Sequence, residues 1–288
     1  AILNAFFQKE VIHMAKLIRY RELQPLPCES RCFFPYRILP GVTAIFEPCH
    51  FQEVASFLIE GSRCALLFDS GMGLGNIKAV VDALTNKPVT LVNSHSHFDH
   101  VGGNWQFGET HLLNVPEAVR KLENGFSLPE DDENRSPEAL HLSCRPWFDL
   151  ARFCVRPCRV VPIQEGDRFD LGGRTLRVLA TPGHSRDGIM LADDANRILF
   201  TGDTVYPAPL YAFLEGPEQI PVYAATVSKL AEDYASYQLC CSHNNPLWDG
   251  AALCEIAEAF RAVLSGQAVG QPDGGHTRYP FGDFAIVV

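Results

Sequence analysis

The sequence has no long unbroken hydrophobic run, although 47% of its 288 residues are hydrophobic. A membrane-spanning helix needs roughly 18 or more consecutive apolar residues, so we expect no membrane partner. The first residues also lack the cationic stretch and small-residue cleavage site of a secretory signal, which favours a cytoplasmic location. We interpret residues 1–14 as a leader or artificial remnant before a single domain over residues 15–288.

Positive charge is in the minority, with 24 Lys and Arg against 34 Asp and Glu and a net charge of −10. Because nonspecific nucleic-acid affinity comes from Lys and Arg that displace counterions, this balance disfavours a nucleic-acid partner. A nucleotide-binding P-loop is also missing, and the glycines of "SGMGLGN" (70–76) do not have dinucleotide-binding spacing. We expect a small-molecule substrate. The sequence leaves the oligomeric state open, with a homodimer as one alternative.

Close C-x-x-C pairs are absent as well, although the chain has ten cysteines. Scattered cysteines of this kind are typical of reduced thiols that pack as small hydrophobic side chains. The C-x-x-x-C spacings at Cys28/Cys32 and Cys154/Cys158 leave a disulfide or a second metal site as alternatives.

Short apolar, β-branched runs alternate with helical patterns and predict an α/β or α+β chain. The predicted strands lie at 42–46, 54–61, 64–71, 89–94, 174–183, 197–203 and 238–243, and the predicted helices at 74–85, 221–234 and 251–266. Residues 266–288 are expected to form a loop and a final strand. An acidic, proline-rich segment at about 115–158 is interpreted as a partly helical insertion, either a lid or substrate wall or an ordinary surface excursion.

The stretch "NSHSHFDHVGGN" (93–104) concentrates potential metal ligands at the end of a predicted strand. Alternate residues of an extended chain point the same way, so His95 and His97 can bind one ion while Asp99 and His100 face a neighbouring one. The two glycines at 102 and 103 let backbone pass close to this turn. Further candidates, namely Asp69, Asp203 and His243, also follow predicted strands, where ligands collect in open sheets.

Imidazole and carboxylate ligands without thiolate favour zinc, with iron or manganese as alternatives. Water between two such ions has a pKa of about 7, which would supply hydroxide at neutral pH. The pattern therefore predicts two adjacent divalent metal ions, and such a site would need no serine or cysteine nucleophile.

The motifs "LLFDSG", "HSHFDH", "TPGH", "TGD" and the late "SH" resemble, in order and spacing, those of the metallo-β-lactamase superfamily. The resemblance implies a four-layer αββα sandwich with two metals. It implies that His95, His97 and His184 bind the first metal, that Asp99, His100 and His243 bind the second, and that Asp203 bridges them. By the same resemblance, Asp69 would orient a ligand from the second shell of the site.

An aspartate at position 203 resembles glyoxalase II-like thioesterases, lactonases and phosphodiesterases more than true β-lactamases. The surrounding segments are most similar to metallo-β-lactamase-domain acyl-CoA thioesterases, so hydrolysis of a thioester or related activated acyl bond is the first expectation. A lactonase is the alternative, followed by a β-lactamase or a phosphodiesterase. An iron-dependent oxidoreductase of the same fold is the non-hydrolase alternative. Too few residues follow position 265 for the glutathione-binding helical domain of glyoxalase II, which disfavours that substrate.

Asp99 and Tyr206 are the predicted catalytic residues. Tyr206 stands where lactonases place a tyrosine that hydrogen-bonds the substrate carbonyl or leaving group, although it could also be a packed aromatic. Arg186 is predicted to meet an anionic leaving group or to form a salt bridge. The aromatic side chains of Trp147 and Phe148 are predicted to contact substrate.

Overall fold

Strands form where the sequence has short apolar runs, and they divide between two compact units. The computed structural model describes residues 23–288, so the predicted leader at residues 1–14 lies outside the described residues. The N-terminal unit runs to Ile163 and adds Asp170–Arg174, and the C-terminal unit contains Gln164–Phe169 and Thr175–Val288. The division into one hydrolase domain over 15–288 stays a prediction.

The N-terminal unit contains a seven-stranded sheet whose strands are paired in chain order. The strands are β1 (Phe34–Leu39), β2 (Val42–Glu47), β3 (Val54–Glu60), β4 (Ala65–Phe68), β5 (Val89–Val92), β6 (Glu109–Leu113) and β7 (Arg159–Ile163). Antiparallel pairing joins β1 to β4, and β4, β5, β6 and β7 then run parallel. Parallel neighbours end at the same edge, so the residues that follow β4 and β5 are brought together.

Helices connect the parallel strands of this unit. They are α1 (Ile77–Leu84), the single-turn α2 (Phe98–Val101) and α3 (Pro116–Asn124). Helix α1 begins at Asn76, whose side chain accepts a hydrogen bond from the Ala79 N–H, as N-cap residues do. Its apolar side chains Ile77, Val80 and Val81 are buried, as expected for an amphipathic helix.

The predicted insertion at 115–158 consists of two different parts. Helix α3 is the connection between the parallel strands β6 and β7, and its Ala118 and Leu122 pack in a core cluster with Leu112 and Val160. The rest, residues 125–158, is irregular apart from short 3₁₀ turns at Glu133–Arg135, Pro137–Ala139 and Leu150–Arg152. We call residues 125–158 the excursion.

The C-terminal unit contains a six-stranded and a four-stranded sheet. The first is formed by β8 (Arg168–Asp170), β9 (Thr175–Ala180), β10 (Ile189–Asp193), β11 (Ile198–Phe200), β13 (Gln238–Cys240) and β14 (Trp248–Asp249). The second is formed by β12 (Pro209–Tyr211), β15 (Gln271–Asp273), β16 (His276–Phe281) and β17 (Phe284–Val287). Helices α4 (Ile220–Tyr234) and α5 (Ala252–Leu264) share a core with both sheets.

The expectation of one final strand after residue 266 was wrong, because that region contains β15, β16 and β17. The residues of β15 are all exposed and polar or proline, so no alternating apolar pattern marks this strand. The predicted helix 251–266 is observed as α5, and Gly266 adopts a φ of 72° just beyond its end, where glycine commonly terminates a helix. Among the described residues, no helix has both the length and the apolar character needed to cross a membrane.

Candidate metal centre

The N-terminal unit brings four potential metal ligands together in the segment that follows β5. The ring centroid of His95 lies 4.4 Å from that of His97 and 4.3 Å from that of His100. His100 Nε2 lies 3.6 Å from Asp99 Oδ2. All except the half-buried His97 are buried, so these polar groups have been removed from bulk water and need polar or ionic partners.

Asp69 lies beneath these histidines, immediately after β4. Its buried carboxylate accepts hydrogen bonds from the Ser94 N–H at 2.7 Å and the Ser94 hydroxyl at 2.8 Å. The same carboxylate lies 2.9 Å from His100 Nδ1. Because an ionised carboxylate only accepts, His100 Nδ1 carries the hydrogen, and the lone pair of His100 Nε2 is left for a metal.

Ser94 links the Asp69 carboxylate to a second histidine, His95, and so fixes the tautomer of that ring as well. A hydroxyl has one hydrogen, and Ser94 donates it to Asp69. The contact of 2.9 Å between Ser94 Oγ and His95 Nδ1 is therefore donated by His95. One carboxylate thus sets the tautomers of His95 and His100, each with Nε2 available as a ligand.

Close backbone contact holds the turn on which Asp69 lies against the histidine loop. Gly102 N–H donates to the Gly71 carbonyl at 2.9 Å, and a Cβ at Gly102 would lie 1.9 Å from the Met72 carbonyl oxygen. No larger residue fits there without moving the backbone, which agrees with the predicted role of the paired glycines.

Glu47 is a residue of this unit that sequence reasoning missed. It ends β2 fully buried, and its carboxylate accepts a hydrogen bond of 2.8 Å from Met72 N–H in the turn after Asp69. Burial raises the pKa of Glu47 well above its usual value, and the hydrogen bond from Met72 lowers it only in part. A carboxyl at the end of the apolar run "VTAIFE" was the available signal.

The C-terminal unit contributes His184, Asp203 and His243. Asp203 Oδ1 lies 3.2 Å from His243 Nε2, and Asp203 Oδ2 lies 3.5 Å from His184 Nε2. All three side chains are buried. Asp203 and His243 follow the parallel strands β11 and β13, as the sequence predicted, and His184 follows β9.

Tyr223 on α4 fixes the loop that carries Asp203. Its hydroxyl donates to the Thr204 carbonyl at 2.6 Å. Burial raises the pKa of Tyr223 well above its ordinary value, and the nearby Asp203 charge adds to that shift. A Cβ at Gly183 would lie 2.4 Å from the Tyr223 ring, so glycine is required next to His184. A buried tyrosine within the helical pattern gave no signal of this role in the sequence.

Tyr206 lies close to His243, with 5.3 Å between the two ring centroids. The residue is buried, and its hydroxyl donates to the Pro209 carbonyl at 2.9 Å. This geometry favours the packed aromatic over direct donation to a substrate, because the phenol has a single hydrogen to give.

The residues predicted to contact substrate have partners of their own. Arg186 lies 3.1 Å from Glu215 and 3.4 Å from Glu218, so the salt-bridge alternative describes its geometry. Trp147 is 54% exposed, with the Arg31 guanidinium 4.0 Å from its ring centroid. Phe148 packs instead against buried residues of the N-terminal unit.

The ligand chemistry of both units suits a divalent metal ion. Three pairs of side chains offer ligand atoms that lie within 4.8 Å of each other. These pairs are His95 with His97, Asp99 with His100, and Asp203 with His243. Buried imidazole and carboxylate side chains are ordinary ligands of zinc and of other first-row metals. The donor set of each unit therefore fits the predicted type of cofactor.

A family model described as the metallo-beta-lactamase superfamily matches residues 51–243. The chain belongs to this superfamily. The match includes every residue that the sequence motifs singled out as a metal ligand, and it confirms the resemblance on which their predicted roles depend.

Two curated relatives in the superfamily are named acyl-coenzyme A thioesterase MBLAC2. The Gallus gallus protein is 33% identical over 172 residues, which covers 55% of this chain and 60% of that protein. The Homo sapiens protein is 31% identical over 194 residues, which covers 61% of this chain and 66% of that protein. The chain thus spans less than two thirds of the length of these relatives.

A crystal structure of a superfamily protein from Thermus thermophilus has a TM-score of 0.60 at 19% identity, covering 80% of this chain and 82% of that chain. A likeness at this identity shows the fold alone. It confirms the predicted metallo-β-lactamase fold class.

Proposed function

We propose that the chain is a metal-dependent hydrolase that cleaves the thioester bond of an acyl-coenzyme A. The observation that carries the proposal is the shared name of relatives that are 31–33% identical to this chain. The fold alone does not determine an activity, so the argument depends on the residues of the site. The buried His and Asp side chains of each unit support metal dependence.

The proposed centre would hold two divalent ions, most simply zinc. Following the superfamily pattern, His95, His97 and His184 would hold the first ion, Asp99, His100 and His243 would hold the second, and Asp203 would contribute to both. When bound, such ions supply Lewis-acid activation of a water molecule and of the acyl carbonyl.

The protein's own contribution is to fix these ligands and to accept a proton. Asp69 and Ser94 hold His95 and His100 in the tautomers in which Nε2 carries the lone pair that a metal ion would accept. We assign to Asp99 the acceptance of a proton from the attacking water, because a buried carboxylate can serve as a general base. The leaving group is a thiolate, which departs more readily than an amine because the pKa of a thiol is about 8.5.

A metal analysis and a hydrolysis panel on the same protein test the proposal. Protein purified without added metal would be analysed by plasma mass spectrometry and assayed with acyl-coenzyme A, acyl-glutathione, a lactone and nitrocefin. We expect about two zinc ions per chain and turnover of acyl-coenzyme A that a chelator abolishes. Turnover of only the lactone or nitrocefin would contradict the thioester assignment, and iron without hydrolysis would point to the oxidoreductase.

A pair of aspartate variants separates the centre from general charge effects. Asp203→Asn should lower both metal content and turnover by orders of magnitude, because it removes the proposed shared ligand. The matched control is Asp82→Asn, since Asp82 is an exposed residue on α1 that pairs with Lys78. Near-normal turnover with full metal content in Asp203→Asn would contradict the bridging role. The cytoplasmic location and the oligomeric state stay predictions, to be checked by cell fractionation and by light scattering.

A further inference from the structure

Three cysteines that the proposed function does not use lie together inside the N-terminal unit. Cys32 precedes β1, Cys49 follows β2, and Cys144 belongs to the excursion. We call these residues the thiol cluster. Cys49 and Cys144 are fully buried and Cys32 is 6% exposed, and the three share one apolar core cluster. All ten cysteines of the chain fall within residues 23–288, and none is in a disulfide there.

The sulfur atoms of the thiol cluster are in contact. Cys49 Sγ and Cys144 Sγ lie 2.6 Å apart and share a hydrogen bond. Cys49 is also hydrogen-bonded to Cys32. Two thiols separated by 95 positions in the chain are therefore already within bonding reach, without a rearrangement of either segment.

Backbone hydrogen bonds hold the two segments in this position. His141 N–H donates to the Cys49 carbonyl and Phe51 N–H donates to the Ala139 carbonyl, each at 2.9 Å. These two bonds form a short antiparallel bridge between His50 and Leu140, which places the excursion against the segment that follows β2. The contact of Cys49 with Cys144 is thus a fixed feature of the packing.

The hydrogen bonds within the thiol cluster shift the pKa values of its thiols in opposite directions. Cys49 acts as the shared partner, which lowers the pKa of Cys32 and of Cys144 and raises the pKa of Cys49. A thiol of lowered pKa is the better nucleophile because the thiolate is the reacting species. Cys32, at the slightly exposed side of the cluster, is the one an external reagent meets first.

We propose that Cys49 and Cys144 form an oxidation site, a buried dithiol that a small-molecule disulfide converts into an intramolecular disulfide. The Cys32 thiolate attacks one sulfur of the reagent, RSSR, and releases one RSH with a proton from solvent. Cys49 gives up its proton to the departing RS⁻ as it attacks the Cys32 mixed disulfide, which releases the second RSH. Cys144 then attacks Cys49, and its proton passes to Cys32, which returns to a thiol. In sum, two protein S–H bonds become one S–S bond while RSSR is reduced to two RSH.

The disulfide would fasten the excursion covalently to the end of β2. The excursion is irregular and carries the exposed Trp147, so oxidation would restrict a segment that is otherwise attached by few backbone bonds. This proposal does not depend on the hydrolase assignment, because it involves none of the metal ligands.

The test is oxidation of the full chain with glutathione disulfide, followed by alkylation, digestion and peptide mass spectrometry. We expect a linked pair of peptides containing Cys49 and Cys144, a loss of two titratable thiols that dithiothreitol restores, and slower proteolysis of the excursion. Cys144→Ser should abolish the linked pair, with Cys144→Ala as a second variant in case the serine hydroxyl is not tolerated in the core. Cys254→Ser, which removes an exposed thiol on α5, should leave the pair unchanged.

Two outcomes would overturn the proposal. One is glutathione attached to the exposed Cys154 and Cys254 while Cys49 and Cys144 are still recovered as alkylated thiols after unfolding. The other is a Cys32–Cys49 disulfide as the stable product, which would assign the oxidation site to a different pair.

Discussion

Replacing Asp69 with Asn tests whether one buried carboxylate sets the ligand state of two histidines. The substitution keeps the shape of the side chain and suits the positive φ of 67° at this position, since Asn tolerates that conformation. It changes one acceptor atom into an NH₂ donor. The wild-type carboxylate accepts from the Ser94 N–H, the Ser94 hydroxyl and His100 Nδ1.

The size of the effect follows from these contacts. In either orientation the amide presents its NH₂ group to at least one buried donor, and a buried donor without an acceptor costs about 1–3 kcal/mol. His100 can escape the conflict by moving its hydrogen to Nε2, but that nitrogen then has no lone pair for a metal. We therefore expect zinc affinity to fall by about 10- to 100-fold, as for other residues that orient metal ligands.

Zinc affinity would be measured by competition with a chromophoric chelator, and the free energy of unfolding by urea denaturation of the metal-free protein. Asp82→Asn again serves as the matched control, because Asp82 is exposed on α1 and pairs with Lys78. If Asp69→Asn binds zinc as tightly as the wild type, the tautomer argument is wrong. If stability falls and zinc affinity does not, Asp69 is only a structural residue.

Three further substitutions test other contacts. Tyr206→Phe should lower the free energy of unfolding by about 1 kcal/mol, because it loses the hydrogen bond to the Pro209 carbonyl. We expect little change in turnover. A loss of turnover with full metal content would instead support the predicted catalytic role of Tyr206. Gly102→Ala should lower the free energy of unfolding by about 1–3 kcal/mol, since the added methyl group overlaps the Met72 carbonyl oxygen. An unchanged free energy of unfolding in urea denaturation would show that the turn can move to accept the methyl group. Burial lowers the pKa of His50, which a hydrogen bond of 3.1 Å to the Asn134 carbonyl offsets only in part. The unfolded chain then binds more protons than the folded chain, so the free energy of unfolding should fall as the pH drops below about 6.5. In His50→Gln, the free energy of unfolding measured by urea denaturation should fall less steeply across that range.

The sequence predicted the parts of the molecule that depend on local pattern. The strands that end at Phe68 and Val92 came from short buried runs, and the ligand candidates came from residue types with unusual local density. The residues that hold those ligands could not be found in this way. Glu47 and Tyr223 act through contacts with Met72 and Thr204, which are distant in sequence.

Other misses have equally physical causes. The exposed β15 has no buried face, so no apolar alternation could mark it. The thiol cluster joins three separate segments of the chain, and scattered cysteines give no signal of spatial proximity. Tyr206 lies near the candidate ligand His243, but the partner of its hydroxyl depends on the loop that leads into β12.

The pairing of β1 to β7 in chain order has a consequence for how the protein is made. Each of these strands finds its partner in the strand synthesised just before it, so the sheet can assemble progressively as the chain leaves the ribosome. The histidines of the "HSHFDH" segment are then positioned while His184, Asp203 and His243 are still being added. We therefore expect a nascent chain to acquire its first candidate metal ligands early and to complete the proposed ligand set only after His243 has been added.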